Sequence, residues 1–237
     1  MKKHIAFTLA ETLVVIGIIG VVSALTLPNL NSSTGDKEKV AQVKKIYTNL
    51  NDAYGRAVAK YGPYGTWFIN DANDTAKAKR AGERITEFMK LSKNCAMNAS
   101  QGCFTSGNTK ILPGTENYNP YDTPTDDYKV ITADGTSISF LGNIDGSPNI
   151  VVDIDGPNKG SYTLGKDIFF FDIDANSGIL PTGNNLNFSA LLGQLAPKGD
   201  GAAAWIIKYD NADYLKFNTS GLCSNGTTVT EANPRCK

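Results

Sequence analysis

The sequence predicts an α+β fold: a long N-terminal helix with a membrane-spanning first half, packed through its second half on a small antiparallel β-sheet head. Three observations carry that expectation. Residues 7–27 form an apolar run. From Val40 onward, apolar residues recur at spacings of three and four. Beyond residue 127, short alternating segments are separated by turn residues.

The first element begins after Lys2, Lys3 and His4. The run from Phe7 to Leu27 is long enough, at about 1.5 Å per residue, to span a bilayer core of about 30 Å, and the positive flank should stay cytoplasmic. Pro28 removes a backbone donor and is expected to kink or locally melt the helix. The pattern then resumes with Val40, Val43, Tyr47, Leu50, Tyr54 and Ala57 on one stripe, and Lys37, Lys39, Lys44, Lys45, Asp52 and Arg56 between them. A single helix over 7–61 would be roughly 80 Å long. Gly62, Pro63 and Gly65 in "YGPYGTWFIN" end it, and the head is expected over 62–237.

Within the head, Ile85, Phe88 and Met89 in "GERITEFMKLSKNC" predict a short helix. "YKVITADGTSISF" reads as two strands joined across Asp134-Gly135, the dipeptide of a tight hairpin. "NIVVDID" and "KDIFFFDI" supply two more, giving an expected sheet of about four strands. "AAAWIIKYDNADYL" fits helix or strand, and a short helix is the expectation.

Composition narrows function. Lys+Arg and Asp+Glu are both 23, so no global field draws the chain to nucleic acid, and no nucleic-acid partner is predicted. His4, in the N-terminal tail, is the single histidine, which argues against histidine-dependent catalysis. There is no Gly-Lys-Ser/Thr phosphate loop, no G-x-S-x-G elbow and no H-E-x-x-H, so no enzymatic activity is expected.

Cys95, Cys103, Cys223 and Cys236 form two sequence-local pairs without C-x-x-C spacing, which favours structural disulfides in an oxidising compartment. Three connectivities are possible, of which local pairing is the simplest. Closing a loop of about 15 residues stabilises by about 3 kcal/mol in the chain-entropy model.

The apolar run contains one acid, Glu11. A carboxylate in hydrocarbon costs about 3 kcal/mol, so something must offset it. Val22-Ser23-Ala24 would pass as a signal-peptidase site, in which case the mature chain is an exported binding or adhesion protein. Glu11 and the helical pattern continuing past Pro28 gain such a signal nothing.

The segment Phe7-Thr8-Leu9-Ala10-Glu11 behind a short basic leader resembles instead the precursors of type IV pilins and type II secretion pseudopilins. The likeness covers roughly residues 1–30. Two positions depart from it: Ala6 stands where most members have Gly, and Ala10 where most have an aliphatic residue. The resemblance implies a leader of residues 1–6, cleavage by a prepilin peptidase between Ala6 and Phe7, N-methylation of Phe7, and a transmembrane half over 7–27. It also implies storage in the inner membrane with the head outside the cytoplasm. Further implied partners are a membrane platform protein, an assembly ATPase, and sister subunits in a homo-oligomeric or mixed filament. A cut before Phe7 frees an ammonium group that Glu11 can meet one turn back on its own helix or on a neighbouring subunit. The resemblance implies the intermolecular role, with Glu11 setting register during assembly.

Two acid-rich stretches complete the reading. Asp153, Asp155 and Asn158, and Asp172, Asp174 and Asn176, place oxygens at alternate positions as a calcium loop does. Neither completes an EF-hand, and the second has Gly183 where a bidentate Glu is needed. Asp and Asn also build turns through local backbone hydrogen bonds, and turn chemistry is the preferred reading, so no cofactor is predicted with calcium as the exception to test.

Overall fold

The computed structural model describes residues 9–71, 73–112, 117–118, 124–142, 149–195, 198–218 and 220–236; side chains are described for these except 23–34 and 117–118. Two compact units are defined, Met1–Glu38 and Lys39–Lys237.

Helix α1 covers Leu9–Tyr61 as the single helix expected over 7–61, and it stays helical through position 28, where local melting was one of the two expected effects of Pro28. Glu11 lies in its first turn and Lys60 in its last, both favourable to the helix dipole. In the first unit, Leu9 is 82% exposed, and Leu13 to Val22 present a nearly unbroken apolar surface. Among the described residues no helix is long and apolar enough to cross a membrane. The described apolar side chains, Leu9 to Val22, cover roughly 21 Å of helix; the remainder of the expected 7–27 span lies outside them.

In the second unit, α1 behaves as its stripe requires. Val40, Val43, Leu50, Tyr54 and Ala57 are buried, Tyr47 is half-buried, and Ile46 and Ala53 join them. Their partner is a six-stranded antiparallel sheet, in the order β1(Leu91–Ala96), β4(Tyr128–Thr132), β5(Ser137–Phe140), β6(Ile150–Asp153), β7(Ile168–Asp174), β8(Gly178–Pro181). Strands β2(Thr109–Lys110) and β3(Asn117–Tyr118) form a separate two-stranded ribbon.

The register sorts the sheet into two faces, because side chains alternate along a strand. Tyr128, Phe140, Ile150 and Phe171 lie in one cross-strand row, and Val130, Ile138, Val152 and Phe169 in another on the same face. All eight are buried in the cluster that includes the α1 stripe. Tyr47 stacks on Phe171 with ring centroids 6.1 Å apart. Asn51 bonds the Ile179 backbone of edge strand β8 twice, donating to its carbonyl at 2.9 Å and accepting from its amide at 3.1 Å. The opposite face carries Val151, Ile168 and Phe170, covered by Phe104, Ile111, Leu164 and the Cys95–Cys103 pair.

Helix α2(Asp74–Thr86) starts on the side chain of Asn73, which accepts from the Ala76 amide, and lays Gly82 against the ring of Tyr128. This helix stands earlier than predicted. The chain turns at Glu87 to Met89, and Leu91–Ala96 pairs with β4 as an edge strand. Its Ser-Lys-Asn centre is exposed and its pairing bulged, so no period-two signal marks it in the sequence. Strand β8 was likewise unforeseen, which is why six strands stand where about four were expected. Helix α3(Phe188–Leu195) was also missed, whereas α4(Ala202–Tyr209) falls where the sequence placed it. Trp205 of α4 is fully buried and donates to Asn211 Oδ1 at 2.9 Å.

Candidate functional site

The residues singled out by sequence fall in three places. Ala6 and Phe7, the expected cleavage and methylation positions, lie outside the described residues. Glu11 is exposed in the first turn of α1, followed by the exposed apolar side chains Leu13, Val14, Val15, Ile16, Ile18 and Ile19, more than half of a helix surface with no polar face. Gly17 and Gly20 have open space around them, so a second helix could approach closely there.

The four cysteines form the two local disulfides, Cys95–Cys103 and Cys223–Cys236. The first holds the loop after β1 against the sheet. The second closes the C-terminal segment, where the Cys236 amide also donates to Asp213 Oδ2 at 2.9 Å.

The acid-rich stretches are turns first. Asp174 Oδ1 accepts from the Asn176 and Ser177 amides at 3.0 and 2.7 Å, closing the β7–β8 hairpin, and these bonds hold its carboxyl below the usual range. Asp153 Oδ1 accepts from the Asp155 and Gly156 amides at 3.1 and 3.0 Å. Its second oxygen, Oδ2, is buried with no hydrogen-bond partner among the described residues. Burial, reinforced by Asp155 and Asp167 against the two amide bonds, pushes Asp153 up to about 8.

Tertiary structure adds two residues that no motif marked. Asp167 is brought to the same loop, where its Oδ2 accepts from the Ser161 amide at 2.7 Å and the Ser161 hydroxyl at 2.6 Å. Lys39 reaches from α1 to Asp167 Oδ1 at 2.9 Å, to the Lys166 carbonyl at 2.8 Å, and lies 3.9 Å from Asp155. Burial raises Asp167, but the Ser161 bonds and Lys39 outweigh it and leave the carboxyl below its ordinary value. Gly160 permits the crossing: at φ 80°, a Cβ there would meet Asp155 and Asp167 atoms at 3.1 Å. The Lys39 ammonium thus offsets one of the two negative charges of Asp155 and Asp167. Among the described residues no group of three or more His, Cys, Asp or Glu is placed to hold a metal ion.

Among the clefts of the second unit are two lined by described residues. One of about 330 Å³ is lined by Asn49, Asp52, Phe88, Met89, Thr132 and Asp134. Its carboxylates are already committed, Asp134 to Lys45 at 2.6 Å and Asp52 to Arg56 at 3.7 Å. The other, of about 530 Å³, lies between the disulfide-closed loop after β1 and the loop after β6. In the first, the Thr132 hydroxyl also donates to Asp134 Oδ1 at 2.5 Å.

Comparison with protein-family models, with curated proteins and with solved structures finds no match for this chain.

Proposed function

We propose that this chain is the precursor of a filament subunit of the type IV pilus or type II secretion pseudopilus kind. In this reading it is cut before Phe7, held in the inner membrane by its first helix, and incorporated into a filament through that helix. The observation that carries the reading is the combination at the start of α1: one acid in the first turn, then apolar side chains exposed all around the helix. Such a surface is costly in water and finds its place only in lipid or among other helices. The second half of the same helix meets a sheet through an ordinary amphipathic stripe, which supports a head carried on a shared helix.

In this role Glu11 compensates the ammonium group freed by cleavage. An isolated ion in the apolar layer is expensive, so pairing between subunits sets the stagger while apolar packing supplies most of the association energy. The work of the protein is structural, and its partners are the prepilin peptidase, the assembly platform and ATPase, and sister subunits.

Mass spectrometry of the native N-terminus tests the cleavage step: the expected first residue is N-methylated Phe7, and a start at Leu25 would identify an exported binding protein instead. Glu11→Val tests the assembly step. Processing and membrane retention should persist while incorporation into filaments falls; wild-type filament yield from that variant would refute the register role.

A further inference from the structure

We propose that the cleft between the Cys95–Cys103 loop and the loop following β6 binds a neutral saccharide, an inference independent of the filament reading. The cleft measures about 530 Å³, within the range of small-molecule sites. Its walls carry Ser100, Thr105, Ser106 and Asn158, with the half-buried Tyr162 as the aromatic surface; Phe104 lies buried beneath them. None of these side chains is charged. Ser100, Ser106 and Asn158 are exposed and make no side-chain hydrogen bond among the described residues, so their donors and acceptors are free for a ligand.

That chemistry is selective. An apolar ligand would strip water from the hydroxyls and the amide without replacing it, and a charged one would find no counter-charge among the described lining side chains. A peptide would seek a strand edge or deep apolar pockets, whereas this cleft is walled by loops. A sugar ring offers what matches these walls: hydroxyls able both to donate and to accept, and a C–H face for the Tyr162 ring.

The walls are also held in unusual conformations. Ser100 and Tyr162 have φ of 54° and 50°, so two of the four described non-glycine residues with positive φ line the cleft. Such backbone persists only where its surroundings hold it, and it concentrates at binding sites. Here the Cys95–Cys103 disulfide and a bond from the Lys93 ammonium to the Gln101 carbonyl fix one loop. The Tyr162 hydroxyl, donating to the Pro157 carbonyl, and the Lys110 amide, donating to the Tyr162 carbonyl at 2.8 Å, fix the other. A site set before binding spares a weak ligand the cost of ordering it.

The test is an NMR titration of the isotope-labelled full chain in dodecylphosphocholine, a detergent without a sugar headgroup. The probes are methyl β-galactoside, methyl α-mannoside and tri-N-acetylchitotriose, with glycerol and gluconate as controls. At least one probe should shift the amide signals of residues 100–106 and 157–162 saturably. The double variant Ser106→Ala/Asn158→Ala should weaken that binding roughly tenfold or more, at two lost hydrogen bonds, while signals elsewhere stay in place. Absence of a saturable shift with all three probes overturns the proposal, as does an equal response to glycerol. Tighter binding of gluconate, or unchanged affinity in the double variant, overturns it as well.

Discussion

Replacing Asp153 by Asn should make the protein more stable, by an amount set by pH. Asp153 is fully buried, its Oδ1 accepts two turn amides, and its Oδ2 has no partner among the described residues. Its carboxyl rises from 3.8 to about 8 on folding. The sign follows from proton binding. Between those values the folded state holds a proton that the unfolded chain releases, so the site's contribution is fully present below the lower value and is lost as pH climbs through the upper one. At about 1.4 kcal/mol per pH unit, the penalty is on the order of 4 kcal/mol at pH 7 and approaches 6 kcal/mol above pH 8. Asn reproduces the protonated carboxyl: its oxygen accepts the same two amides, and it never ionises. Urea unfolding followed by fluorescence of the buried Trp67 and Trp205 reads the difference. The Asn variant and the wild type should coincide near pH 4 and diverge steadily towards pH 8, with the variant the more stable. A gap that stays constant across that window, or one in which the wild type gains, refutes the reasoning.

Lys39→Ala acts in the opposite direction on the same loop. It strands the Asp167 carboxylate, whose side chain is 2% exposed, and should cost about 2–3 kcal/mol at pH 7 in the same unfolding assay. Because Asp167 titrates below the ordinary carboxylate range, its stabilising contribution disappears as pH falls, and the gap to wild type should narrow in acid. Gly82→Ala should destabilise by about 2 kcal/mol or more although alanine is the better helix former, because the new Cβ would sit 2.2 Å from Tyr128 Cδ1. Asn51→Ala removes both bonds to Ile179 and should cost about 2 kcal/mol, with faster hydrogen exchange at the Ile179 amide than at the centre of β7 as its local signature.

Local periodicity made part of this fold legible. The α1 stripe from Val40 to Ala57 and the hairpin around Asp134-Gly135 fall where the sequence puts them, since a helix face and a two-residue turn are encoded by residues close in the chain. The local disulfides follow the simplest of the connectivities open to the sequence. Strands β1 and β8 were not legible. Each lies at an edge and takes its form from one paired neighbour. Likewise, "LSKNCA" looks like the tail of a helix until β4 is there to bond it.

For the acid-rich stretches, the sequence determined that Asp153 and Asp174 would cap turns, because an Asp side chain reaches amides two and three residues ahead. It determined equally the apolar start of α1 and its lone acid. Only the tertiary structure decided that Lys39, 128 positions from Asp167, would pair with that carboxylate, and that two distant loops would form a cleft lined by uncharged side chains. Hydrogen bonds to near neighbours are written in the order of residues. Burial and long-range charge depend on which segments the sheet brings together, and no local pattern records that.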